Sequence, residues 1–296
     1  MARSHPPTLI TLVGRTLREE CGVVRGTRVL LALSGGGDSM ALLHVLAILA
    51  KKQGFSLVAH GVDHGLRAEA AAELDAAQAQ CAALGVEFSR TVLALEGGGN
   101  LQARARDARR AALLTAAKSS EAERIATAHH ADDRAETLLL RLMRGSGPNG
   151  LAVLPPRAEV WIRPQCRARK SDVLAHLARH RLAFADDPSN ANRRFLRTRV
   201  RSELLPLLEQ LSPQIVGHLC ALADALAAGR SSELPLLDDQ GVALLLNRAQ
   251  RQLVGRARSL GQRSARVSLP HGRELSLDPV TLEPQVALAG KRPRKR

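Results

Sequence analysis

At 296 residues, 45% of them hydrophobic, the chain carries enough apolar material for one large core and a smaller appendage. The net charge is +15, mostly arginine, and the pI is near 11.1, a balance that suits phosphate groups and nucleic acid; arginine-rich coding in a GC-rich genome would give the same excess without a partner. Aromatics at 2% and the absence of tyrosine exclude a base-stacking platform, and Cys21, Cys81, Cys166 and Cys220, with no C-x-x-C pair, argue against a zinc ribbon, an iron–sulfur cluster or a disulfide framework.

In chain order, Thr8 to Gly14 soon meets Arg15, Arg18, Glu19 and Glu20, which predicts an amphipathic helix and not a secretion signal. No apolar stretch is long enough to span a bilayer, so no membrane partner is expected and a cytoplasmic protein fits. Val29 to Leu33 reads as a buried strand, followed at once by Ser34-Gly35-Gly36-Gly37-Asp38-Ser39. Glycines let backbone N–H groups surround an anion, and Ser39 is expected to open a helix whose positive end favours phosphate. The loop is neither G-x-x-x-x-G-K-[ST] nor G-x-G-x-x-G. A carboxylate inside a phosphate cradle repels the ligand unless a divalent cation lies between them, so Asp38 suggests a Mg²⁺-bound nucleoside triphosphate. The plainer alternative is an ordinary glycine-rich turn with a serine cap.

Phe55 to Val62 predicts a second strand, Glu69 to Leu84 a helix stopped by Gly85, and Val86 to Leu93 a third strand. Glu96 to Asn100 reads as a loop, Leu101 to Lys118 as a helix, Arg124 to His129 as a strand and Asp133 to Met143 as a helix. Such alternation predicts an α/β fold, a parallel sheet with helices on both faces, with ligands at the carboxyl ends of its strands. Ser34, Asp63-His64 and His129-His130 all fall at such ends. Gly145 to Gly150 and Leu154-Pro155-Pro156 break the pattern. Arg163 to Arg201 then carries eleven Lys/Arg against three acids, with Ser171 expected to cap a helix running to about His180. Leu204-Leu205-Pro206 and Ser212-Pro213 mark a boundary, after which Gln214 to Ala228 predicts a helix and Lys291 to Arg296 a basic tail. The expected domains are a catalytic one over 1–210 and a smaller, mainly helical one over 211–296.

His129, Asp132 or Asp133, and Glu136 recur at intervals of three and four, so they can share a helix face. Asp133-x-x-Glu136 is also a capping box, which needs no ligand. A zinc site is the other alternative, but the excess of carboxylates favours Mg²⁺.

The segments SGGGDS (34–39), VDHGLR (62–67), AHHADDRAETLLLRLMRGSGPNGL (128–151) and DDPSNANRRFLRTRVRSELLPLL (186–208) closely resemble the tRNA(Ile)-lysidine synthetases, of the N-type ATP pyrophosphatase superfamily. The resemblance covers roughly residues 27 to 210 and implies an adenine nucleotide alpha hydrolase-like fold. It implies a ligase that uses ATP to adenylate the C2 oxygen of the wobble cytidine in an isoleucine tRNA with a CAU anticodon. Free L-lysine then displaces AMP. On that reading Ser34, Gly35, Gly36, Gly37 and Ser39 hold the departing pyrophosphate, and Asp38 and Asp133 share Mg²⁺. Glu136 binds the ammonium of lysine, and Arg201 its carboxylate or the adenylate phosphate, with Arg197 and Arg199 as rivals. Arg106 is a further candidate for phosphate, and a homodimer is left open. The chain departs from the family at Arg110, where tyrosine is usual, at Thr198, where asparagine is common, and at Ala152-Val153-Leu154, which replaces a usual Gly-Met ending. The competing functions are a tRNA 2-thiolation enzyme of the same superfamily and a non-catalytic, nucleotide-dependent RNA-binding protein.

Overall fold

A computed structural model describes residues 7–63, 65, 69–93, 101–185 and 196–230, and three later strands. Its centre is the apolar run Arg28–Leu33 (β1), which reads as a continuous hydrophobic stretch because both faces are covered. Val29, Leu31 and Leu33 point to one side and join Leu9, Val13 and Leu17 of α1 (Leu9–Glu19) and Leu42 and Leu46 of α2 (Gly37–Gln53). Leu30 and Ala32 point to the other side and meet Leu113 and Ala117 of α4 (Leu101–Ser119). The period of two in the strand thus sorts its side chains into two separate cores.

On either side of β1 lie β2 (Ser56–Asp63) and β4 (Arg124–Ala126), both parallel to it. Helix α3 (Glu69–Leu84) precedes the edge strand β3 (Glu87–Val92), which pairs parallel to β2. Beyond β4 the sheet continues with β6 (Trp161–Ile162), parallel, and β5 (Arg157–Ala158), antiparallel, giving the order β3-β2-β1-β4-β6-β5. The expected parallel, helix-covered sheet is what forms, with β5 as an antiparallel edge strand that was not expected. The loop expected at 96–100 lies outside the described residues.

From β4 the chain turns into α5 (Ala131–Met143) and the single turn α6 (Pro148–Leu151), and after β6 into α7 (Lys170–His180). The helical segment then resumes as α8 (Leu196–Arg199), a π-helical turn over Val200–Leu204, and α9 (Leu205–Leu211). Pro206 explains the wide turn. It has no N–H to give to residue 202 and its ring crowds that carbonyl, so the ladder shifts and Leu205 N–H reaches back to the Val200 carbonyl. Helix α10 (Ile215–Arg230), which the sequence grouped with residues 211–296, packs Val216 and Cys220 on Ala131 and Ala135 of α5.

The chain divides into two compact units, Met1–Arg230 and Ser231–Arg296. The described residues of the second are a three-stranded antiparallel sheet, β7 (Arg266–Leu269), β8 (Arg273–Leu277) and β9 (Pro284–Leu288), so among the described residues helix is found only up to Arg230. Among the described residues no single helix is long and apolar enough to cross a membrane.

Candidate functional site

The glycine loop leaves the carboxyl end of β1 and enters α2 two residues earlier than expected: Gly36 is the N-cap, and Gly37 and Asp38 lie in the first turn. Ser39 therefore does not open the helix. Its hydroxyl instead donates to the Gly36 carbonyl at 2.9 Å and accepts from the Ser34 N–H at 3.2 Å, folding the loop over itself. The Ser34 hydroxyl is exposed and lies 3.2 Å from that of Ser39. Gly35 has φ +79, and a Cβ there would stand 2.8 Å from the Glu73 carbonyl of α3, so the position demands glycine twice over. On the other flank Gly37 faces Leu177 of α7 and Phe184, where a Cβ would meet carbons at 3.2 and 3.1 Å. The Ala185 N–H closes that side by donating to the Gly35 carbonyl.

The second element of the site is the start of α5. The capping box is real but sits three residues earlier than the sequence suggested: His130 is the N-cap, and its partner is Asp133. Asp133 Oδ2 accepts the His130 N–H at 3.0 Å, and His130 Nδ1 accepts the Asp133 N–H at 3.3 Å. Because Nδ1 accepts, the imidazole proton belongs on Nε2, which lies 3.8 Å from Asp38 Oδ1 and 3.4 Å from Asp133 Oδ2. One buried imidazole therefore brings together the carboxylates of Asp38 and Asp133, which cannot be farther apart than those two distances combined. Glu136, freed from capping, is one turn further on and 1% exposed.

Each of these carboxylates faces a side-chain cation. Lys170 Nζ, at the start of α7, lies 2.6 Å from Asp38 Oδ1. Arg201 binds Glu136 through Nε at 2.6 Å and Nη2 at 3.0 Å, and reaches Asp133 Oδ1 at 3.3 Å. Arg197, one helical turn earlier, holds Glu136 at 3.2 Å and Asp133 at 3.3 Å. Arg199 points elsewhere, to Glu203 on the surface, so two of the three candidate arginines converge and one does not. Burial would raise the Asp133 pKa, but the imidazoles of His130 and His129, the His130 N–H and Arg197 together hold it below the usual carboxylate range. The bidentate bond to Glu136 raises that of Arg201. His129, outside the helix, is driven by burial down to about 4 and is tied to the Thr127 hydroxyl at 2.9 Å.

Sequence reasoning placed His130 and Asp132 near the site without giving them partners, and it missed the roles of Lys170 and Gln165. Ser171 does not cap α7: the cap is Arg169, whose N–H goes to Asp172 and whose guanidinium grips Asp132 at 2.9 Å. Gln165 ties the two halves together, its amide donating to the carbonyls of Asp38 at 3.3 Å and Ala128 at 2.7 Å. Arg106 is exposed on α4, and Arg110 lies over the Trp161 ring at 4.5 Å, an apolar platform that suits its guanidinium in place of the usual tyrosine. His64 and residues 186–195 lie outside the described residues.

This arrangement can take an anion over the loop and hold cations on the three carboxylates. For a divalent ion, Asp38 and Asp133 supply hard oxygen donors on either side of His130, and the ammonium of Lys170 already occupies a cation's place on Asp38.

The PP-loop domain family matches residues 11–208. A tRNA(Ile)-lysidine synthase of Xanthomonas axonopodis pv. citri is 43% identical over 224 residues, covering 73% of this chain and 49% of that protein. One from Leifsonia xyli subsp. xyli is 40% identical over 238 residues, covering 78% of this chain and 68% of that protein. The chain thus spans about half the length of the Xanthomonas relative. Among solved structures, the U34-tRNA thiolase NcsA from Methanococcus maripaludis superposes with a TM-score of 0.63 at 19% identity, over 80% of this chain and 86% of that one, a likeness of fold. With its glycine loop, the His130–Asp133 turn and the arginine-covered Glu136 all carried on matched sequence, the chain belongs to the tRNA(Ile)-lysidine synthase family of PP-loop proteins.

Proposed function

We propose that the chain ligates L-lysine to C2 of the wobble cytidine in a CAU-anticodon isoleucine tRNA, with ATP as the activating substrate. The observation that carries the reading is Glu136: a carboxylate 1% exposed, met by guanidinium groups that are themselves 43% and 49% exposed. A buried anion covered by surface cations is a socket for an incoming ammonium, because a ligand cation can replace Arg201 without leaving Glu136 uncompensated. The displaced Arg201 then has its fork free for the carboxylate of the same lysine.

In the first step the cytidine C2 oxygen attacks the α-phosphorus of ATP and pyrophosphate leaves. Backbone N–H groups of the glycine loop and the exposed Ser34 hydroxyl bind the departing phosphates, and Lys170 swings from Asp38 to add a positive charge. Mg²⁺ on Asp38 and Asp133 would neutralise charge growing on the leaving group. In the second step the lysine held at the Glu136 socket loses its ε-ammonium proton to water, the free ε-amine attacks C2, and AMP departs with the electron pair of the C2–oxygen bond. The basic run from Arg163 to Arg201 carries charge suited to tRNA.

The thiolation alternative needs a reactive thiolate. All four cysteines are buried free thiols, and burial raises Cys21 and Cys166 to about 12 and Cys81 to about 11, so none supplies one. Free thiols also suit a reducing cytoplasm. The test is a reaction containing ATP, Mg²⁺ and the CAU-anticodon tRNA: AMP release is expected only when lysine is added, with labelled lysine entering the tRNA. Turnover supported by a sulfur donor and indifferent to lysine would overturn the proposal.

A further inference from the structure

We propose that His44, His176 and His180 form a transition-metal site of the zinc class that staples α7 to α2 behind the glycine loop. His176 and His180 are four residues apart on α7 and so share a face, and His44 comes to meet them from α2. One ring nitrogen from each lies within 4.8 Å of the others, and His44 Nδ1 is 3.0 Å from His176 Nε2. Tetrahedral zinc, with Zn–N near 2.0–2.1 Å, sets its nitrogen ligands about 3.4 Å apart, so small side-chain rotations close the site. The rings are tilted by 43° to 55° with centroids 4.5 to 5.1 Å apart, and so are not stacked face to face. Three imidazoles without a carboxylate select zinc, nickel or copper over magnesium. His176 is buried, His44 half-buried and His180 exposed, which leaves a solvent side through which an ion can arrive and a water can complete the shell.

The plainer account is a hydrogen-bonded His44–His176 pair, which satisfies one nitrogen of each ring without a metal. That account leaves His180 without a purpose, and this is where the two separate. The site also has a mechanical consequence. Helix α7 presents Lys170 to Asp38 and presses Leu177 against Gly37, so fixing α7 on α2 fixes the wall of the loop.

The experiment uses tag-free full-length protein stripped with chelator, titrated with Zn²⁺ by calorimetry, with elemental analysis after dialysis and Co²⁺ absorption as a report on the ligands. One zinc per chain, a higher unfolding midpoint with zinc, and a Co²⁺ spectrum free of thiolate charge-transfer bands are expected. His180→Ala, at an exposed position that the fold tolerates, should weaken zinc by at least about tenfold, since even outer-shell changes cost roughly that much; His44→Gln should do the same. Absence of stoichiometric uptake, uptake unaffected by His180→Ala, or thiolate bands in the Co²⁺ spectrum would overturn the site.

Discussion

Two ionic networks run through the first unit, and they are buried in opposite senses. In one, the cation is inside: Arg134 of α5 is fully buried and bonds Asp224 of α10 at 2.6 Å, while Arg167 joins Asp224 to Glu20 at the end of α1. In the other, the anions are inside, Glu136 and Asp133, and the cations Arg197 and Arg201 sit at the solvent boundary. Asp224 is held by both Arg134 and Arg167, so the buried cation keeps a partner that is locked within the fold and acts as a strut. A buried anion under exposed cations is exchangeable, since any cationic ligand can substitute. The direction of burial therefore separates the structural network from the functional one, although a list of ion pairs would treat them alike.

Removing the anion of the strut gives the largest effect on stability. Asp224→Ala is expected to cost about 3 kcal/mol in denaturant unfolding, because it leaves the Arg134 charge buried and uncompensated. A loss below about 1 kcal/mol would mean that the two networks do not differ as described. Gly35→Ala comes next: the left-handed backbone and the nearby Glu73 carbonyl predict about 1–2 kcal/mol and weakened nucleotide binding, measured by thermal unfolding and calorimetry.

Acid acts on the site side through His129. Burial lowers its pKa, Asp133 opposes this, and Arg163, Arg197 and Arg109 add to it, leaving the group at about 4. The unfolded chain, with its imidazole near 6.5, binds the proton first, so this contribution to stability is present above about pH 6.5 and is lost as pH falls toward 4. Unfolding midpoints of the protein and of His129→Gln should converge over that window; parallel curves would contradict it. The smallest effect belongs to Arg199→Ala, whose surface pair with Glu203 contributes no more than about 0.5 kcal/mol and whose loss should leave activity intact.

Much of this was legible in residues and spacing. The buried run of β1 followed by serine and glycines placed the loop, and alternation placed the sheet, because a parallel strand covered on both faces has little freedom in composition. Asp38 was visible through its place in the glycine loop and Asp133 and Glu136 through their spacing along a helix, whereas Arg201, with Arg197 and Arg199 as rivals, came only from the family resemblance. What stayed hidden depends on contacts far apart in sequence. Nothing local marks Lys170 as the partner of Asp38, or Gln165 as the tie between Asp38 and Ala128. The helix starts moved for a similar reason: histidine is an uncommon cap, so His130 gave no signal and the next S/T/D-x-x-E pattern looked better than it was. The late strands β7 to β9 were missed because their alternation is weak.

The exchangeable socket is tested most directly with Glu136→Gln, following pyrophosphate release and transfer of labelled lysine in the same single-turnover reaction. The account predicts that pyrophosphate release persists while lysine transfer falls by about 100-fold or more, the consequence of losing a buried charge partner worth roughly 2–5 kcal/mol. Lysine transfer at the unsubstituted rate, or an equal fall in both steps, would contradict it.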